Sequence, residues 1–118
     1  MTMNKSYKEE RPWGSFEILY EEKKLKIKRI IVKPGKRLSL QSHRFRSENW
    51  VLLQGDALVT VDEKEIRWFP NQSVFIPVEA RHRVANQGSS NVVFIEVQTG
   101  TYLGEDDITR YQDDFNRV

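Results

Sequence analysis

The sequence predicts an all-β domain, a sandwich or barrel. Three observations carry that prediction. About nine short runs of strand length, apolar or alternating, are separated by closely spaced turn residues, as in a sandwich or barrel. No segment sustains the apolar period of a long helix. The chain has 118 residues and no cysteine, enough for one core without disulfide staples, so a single domain is expected.

Residues 1–10, MTMNKSYKEE, are polar and charged and read as a flexible arm, with the domain proper over 11–118. Arg11-Pro12-Trp13-Gly14 is a turn, with Trp13 anchoring it to the domain. Ser15 to Tyr20 suits a strand and Glu21 to Lys24 a charged turn. Leu25 to Val32 alternates apolar and basic residues at first and then becomes apolar on both faces, so a strand with one wet side grows more buried. Lys24, Lys26 and Lys28 share a face, expected to be solvated. Pro34-Gly35 makes a turn, Arg37 to His43 a strand, Arg44 to Ser47 a short turn, and Trp50 to Leu53 the next strand. After the turn Gln54-Gly55-Asp56, Ala57 to Val61 continues with Ala57, Val59 and Val61 on one face. Asp62-Glu63-Lys64 and Pro70-Asn71 are turns around a strand from Glu65 to Phe69. Ser73 to Pro77 and His82 to Asn86 are two more short strands. Gln87 to Ser90 turns the chain into Asn91 to Thr99, a long apolar strand expected to be central. Gly104-Glu105-Asp106-Asp107 is placed to open a short helix, its acids at the positive end; otherwise the tail is irregular.

The net charge of +2 shows no basic bias, and no nucleic-acid motif is present. No apolar run approaches bilayer-spanning length, and the N-terminus lacks the apolar core of a signal peptide. With no cysteine as well, the expectation is a cytoplasmic protein that binds neither nucleic acid nor membrane.

The chemistry concentrates in two stretches, Pro34 to Gly55 and Asn71 to Asn86. Between them they hold both histidines of the chain. Gln41, His43 and Glu48 stand at the spacing Q-x-H-x4-E. Residues two apart on a strand share a face, so Gln41 and His43 point the same way. A short turn lets Glu48 face back toward them, and a separate strand can carry His82 across the same pocket. Imidazole, carboxylate and amide oxygen form a mixed nitrogen and oxygen site for one divalent ion, Zn foremost, with Mn, Co, Ni or Fe as alternatives.

The two stretches resemble the two motifs of the cupins, which fold as a double-stranded β-helix or jelly-roll barrel. Gly35, Gln41, His43, Glu48 and Gly55 fit the first motif, with Gln41 in place of its first histidine. Asn71, Pro77, Glu79, His82 and Asn86 fit the second, with Asn71 and Glu79 in place of its glycines. A more specific resemblance covers nearly the whole chain from Arg11. RPWGSFEIL, LSLQ-x-H, IEVQ-x-G and YLGEDDI are similar to the C-terminal cupin domain of type II mannose-6-phosphate isomerases, a domain often fused to a mannose-1-phosphate guanylyltransferase. The resemblance implies a metal-dependent isomerase converting mannose 6-phosphate to fructose 6-phosphate. The nucleotide-transferring domain and its glycine-rich loop are absent from the sequence, so the expectation is an isomerase module standing alone. Cupins often pair through N-terminal strands, so a homodimer is also implied. Where the family usually reads LSLQMHHHRAEHW, this chain reads LSLQSHRFRSENW. Arg44, Phe45 and Asn49 replace histidines of that pattern. The alternative they favour is a non-catalytic metal-binding cupin that holds a sugar phosphate or nucleotide sugar.

Aldose–ketose isomerisation moves a proton between C1 and C2 through an enediol. It needs an oxygen polariser, which a metal supplies, a base, and a phosphate anchor. Arg37, Arg46, Arg81 and Arg110 are anchor candidates, since a guanidinium grips phosphate with two bonds. Arg46 and Arg110 are favoured because the family pattern also has arginine there. Glu96 is the candidate base, its carboxyl raised by burial in VVFIEVQ. Trp50 follows the ligand strand closely enough to line the pocket. The expected site therefore has Glu96 and Arg110 as catalytic residues, Arg46, Arg37 and Trp50 on the substrate, and Gln41, His43, Glu48 and His82 on the metal.

Overall fold

The computed structural model describes residues 7–117. Eleven strands follow one another: β1 (Tyr7–Arg11), β2 (Gly14–Glu22), β3 (Leu25–Val32), β4 (Leu40–Ser42), β5 (Arg46–Gln54), β6 (Ala57–Val61), β7 (Lys64–Trp68), β8 (Ser73–Ile76), β9 (His82–Asn86), β10 (Val92–Gly100) and β11 (Thr109–Gln112). They form two antiparallel sheets, ordered β1-β2-β3-β10-β5-β8 and β11-β4-β9-β6-β7. This is a jelly roll, all-β among the described residues, as expected.

Register in the larger sheet divides the interior into two ends. Phe94 lies between Ile30 and Leu52, and Val92 lies opposite Val32. One period further along each strand, Glu96 lies between Lys28 and Trp50, and Gln98 between Lys26 and Glu48. Side chains two apart share a face, so all of these point inward. One end is therefore packed hydrocarbon and the other is polar. Trp50, Trp68 and Phe94 close the apolar end, their ring centroids 5.1 to 5.8 Å apart. Tilted aromatic pairs of this kind each add roughly 0.5–1.5 kcal/mol beyond their buried area.

Several elements differ from the sequence reading. Tyr7 to Glu10 belong to β1, which pairs with β2, rather than to a flexible arm; residues 1–6 of that arm lie outside the described residues. The polar composition of residues 7–10 conceals an edge strand, one that needs backbone partners more than an apolar face. The strand expected over Arg37 to His43 shortens to β4, with an isolated bridge between Arg37 and Ala85. The expected Trp50 to Leu53 lengthens backward, so that β5 already contains Arg46 and Glu48. Gly104 to Asp107 does not open a helix: it turns and leads into β11, which pairs with β4. Its acids have work elsewhere.

Candidate functional site

The polar end is assembled from β3, β4, β5, β9 and β10 and from the segment before β11. His82 begins β9, and Gln41 lies opposite it in the ladder. His43 leaves β4, and the chain bends through Arg44 and Phe45 into β5. Asp107 holds that bend: its carboxylate accepts the backbone N–H of Arg44 at 2.9 Å and of Phe45 at 3.0 Å. Gly100 makes room for the same bend, because a Cβ there would stand 2.7 Å from Arg46 Cα. The approach to His82 is made through a left-handed turn at Glu79, φ +67°, and Asn71 also has positive φ, +71°. These are the two positions where the cupin motif has glycine. Glu79 bears roughly 1–2 kcal/mol of backbone cost to keep the conformation.

Both histidines are oriented by backbone carbonyls. His43 Nδ1 faces the Asp107 carbonyl oxygen at 2.6 Å, and His82 Nδ1 faces that of Ala80 at 3.0 Å. A carbonyl only accepts, so each Nδ1 carries the proton and each Nε2 keeps a lone pair. Burial, reinforced by the Arg46 charge, pushes His43 down to about 4; burial also pushes His82 down to about 4. Both rings are neutral at pH 7. One ligand atom from each of His43, Glu48 and His82 lies within 4.8 Å of the others. Neutral imidazoles, a carboxylate and fixed tautomers fit a divalent ion. Gln41, opposite His82 in the ladder, donates from its amide to Ser39 Oγ at 2.9 Å.

Beside the cluster is a cavity of about 190 Å³. Its polar wall includes Lys28, Gln41, Arg46, Glu96, Glu105 and Arg110, and Trp13 and Phe16 supply an apolar side. Glu96 accepts a hydrogen bond from Gln98 at 2.7 Å. Burial first, and then the neighbouring Glu48 carboxylate, push Glu96 up to about 7. Arg110 Nε is buried without a protein partner. Lys28 donates to Glu105 at 2.5 Å and lies 4.3 Å from the centre of the Phe16 ring.

The structure thus brings Gln41, His43, Glu48, His82, Arg46, Glu96 and Arg110 together. Two expected substrate contacts are not there. Trp50 is buried and off the cavity wall; its Nε1–H donates to Glu48 Oε1 at 2.8 Å, so it steadies a candidate ligand instead. Arg37 lies on the outer surface, paired with Asp114 at 2.8 and 2.9 Å, and ties the C-terminal segment down. Arg81 is exposed and stacks on Tyr111. The sequence reading also missed residues. Lys26 and Lys28 are buried rather than solvated. They share parity with Ile30 and Val32 along β3, and that parity was the available signal. Lys26 reaches the Leu103 carbonyl at 3.0 Å, and Glu105 and Asp107 serve the site rather than a helix cap. Arg44, Phe45 and Asn49, which stand where the family pattern has histidine, are all exposed and off the cavity wall.

A jelly roll carrying an imidazole–carboxylate–imidazole cluster beside an inner cavity is a cupin. The chain belongs to the family described as "Mannose-6-phosphate isomerase C-terminal", whose model it matches over residues 2–113. It is 48% identical over 108 residues to the alginate biosynthesis protein AlgA of Pseudomonas aeruginosa, covering 92% of this chain and 22% of that protein. It is 43% identical over 107 residues to a mannose-1-phosphate guanylyltransferase of Klebsiella pneumoniae, covering 91% of this chain and 23% of that protein. The chain therefore spans less than a quarter of the length of these relatives. In fold it is similar to the capsular polysaccharide assembling protein CapF of Staphylococcus aureus. There the TM-score is 0.78 and the identity 19%, over 92% of this chain and 34% of that one. Among the described residues no helix is long and apolar enough to cross a membrane.

Proposed function

We propose that the domain is a metal-dependent mannose-6-phosphate isomerase, interconverting mannose 6-phosphate and fructose 6-phosphate. The observation that carries this reading is Glu96. It is a buried carboxyl poised near neutrality on the wall of a cavity rich in cations. A base with that affinity is half ionised at working pH, where general base catalysis is most effective.

Lys28 and Arg110 hold the phosphate, the guanidinium of Arg110 having an Nε to give. Trp13 and Phe16 keep water from the sugar chain. The Glu96 carboxylate takes the C2 proton of the open-chain aldose and returns it to C1. The enediolate between these steps carries its charge on O1; its hydroxyl proton passes from O2 to O1, and protonation of C1 then gives the ketose. Gln98 holds Glu96 in place by the hydrogen bond at 2.7 Å. A divalent ion held by His43, Glu48 and His82, with Gln41 beside them, supplies Lewis-acid polarisation of the sugar oxygens when bound. Zn is the first choice for two imidazoles and a carboxylate, with Mn, Co, Ni or Fe able to replace it. A charged sugar phosphate does not cross membranes unaided, so the reading places the protein in the cytoplasm. It also takes the protein as a homodimer paired through β1, the terminal strand in the order of the larger sheet.

A coupled assay for fructose 6-phosphate tests the isomerase. Turnover is expected with Zn, Mn, Co or Ni and is expected to vanish with chelator and in His82→Ala. Glu96→Gln should lower kcat by about 10²-fold or more, Arg110→Ala should raise KM, and Arg37→Ala should change neither. Metal binding without turnover defeats the isomerase and leaves a metal-binding cupin for sugar phosphates or nucleotide sugars. The missing histidines that motivate that second reading lose force here, since Arg44, Phe45 and Asn49 do not reach the cavity.

A further inference from the structure

The ligand cluster and the cavity are neighbours, and Arg46 touches both. Gln41, Arg46 and Glu96 line the cavity, whereas His43, Glu48 and His82 do not. Arg46 lies between them. It is 5% exposed, donates from Nε to Glu48 Oε2 at 2.8 Å, and brings Nη2 to 3.2 Å from His43 Nε2. Those two acceptor atoms are ones a divalent ion needs. A guanidinium keeps its proton and its charge in any protein site. Two cations cannot share one pair of buried acceptors without strong repulsion. Arg46 is also incompletely satisfied in this position, because its Nη1 is buried with no partner.

We infer that Arg46 is an exchangeable counter-ion: its guanidinium occupies the metal seat when no metal is bound, and an arriving divalent ion expels it into the cavity. There it joins Lys28 and Arg110 as a third cation facing the phosphate. The inference rests on the metal reading of His43, Glu48 and His82 and adds regulation to it. Metal affinity is set by competition with a side chain of the same protein. Metal and anion then favour each other's binding by the same factor.

Zn²⁺ affinity near neutral pH, measured by competition with a chromophoric chelator, tests the exchange in wild type, Arg46→Gln and Arg46→Met. Both variants are expected to bind Zn²⁺ about tenfold tighter or more, within the usual range of such couplings. Equal or weaker binding overturns the exchange and makes Arg46 a support of the ligands instead. A wild-type measurement covers the case of a misfolded variant. Phenylglyoxal modification of Arg46, read by peptide mass, should be blocked in chelator and proceed with Zn²⁺. Protection that does not change on Zn²⁺ addition also overturns it. Failure of Zn²⁺ to bind any of the three proteins defeats the exchange together with the metal reading. Tighter binding by the variants, with no isomerase turnover in Zn²⁺-loaded wild type, upholds the exchange and defeats the isomerase alone.

Discussion

Glu96→Gln provides a sharp thermodynamic test of the polar interior. The folded Glu96 carboxyl titrates at about 7, against 4.5 for an ordinary glutamate. Between those values the native protein holds a proton that the unfolded chain has released. Stability therefore falls as pH rises, by about 1.4 kcal/mol per pH unit. From 4.5 to 7 the loss amounts to about 3 kcal/mol, and it persists in full above pH 7. His43 and His82 act in the opposite sense. Their folded values of about 4 lie below the ordinary 6.5, so stability rises with pH between the two and levels off above 6.5. That contribution is present in both proteins and cancels to first order in the difference between wild type and Glu96→Gln. Urea unfolding followed by tryptophan fluorescence, in chelator, gives the difference directly. Relative to the variant, wild type should lose about 2 kcal/mol between about pH 5.5 and pH 8. Stability curves that run parallel across that range would refute the reasoning: Glu96 would then be an ordinary carboxylate and a poor base.

Two further outcomes are expected. Trp50→Phe keeps a stacking ring but removes the Nε1–H that serves buried Glu48 at 2.8 Å; it should cost about 2–3 kcal/mol in the same titration, and a cost within error would mean that Glu48 does not need the indole. Light scattering should give twice the 14.0 kDa of one chain, reverting to a single chain when residues 1–11 are deleted; an unchanged mass after deletion would remove β1 from the interface.

The two motifs were legible in the sequence because β alternation and turn chemistry are local. Q-x-H at spacing two puts Gln41 and His43 on one face whatever the rest of the chain does. The same locality gave Leu25–Val32, Ala57–Val61 and His82–Asn86 with their observed bounds. Asn71 and Glu79, which stand where the cupin motif has glycine, adopt left-handed backbone although neither is glycine.

Other features were decided only by tertiary structure. Whether a basic residue on an alternating strand is wet depends on what packs against that face. Lys26 and Lys28 are dry because Leu103 and Glu105 reach them across 77 residues of chain. Asp107 likewise has no local signature of its role, since its partners are backbone N–H groups more than 60 residues away. Trp50 does face inward beside Glu48, but its ring packs on Trp68 and Phe94; Arg37 is held on the outer surface by Asp114, a partner 77 residues away. Alternation along the chain fixed the direction in which each side chain points. The packing of the two sheets, and the segment that closes their polar end, decided what it points at.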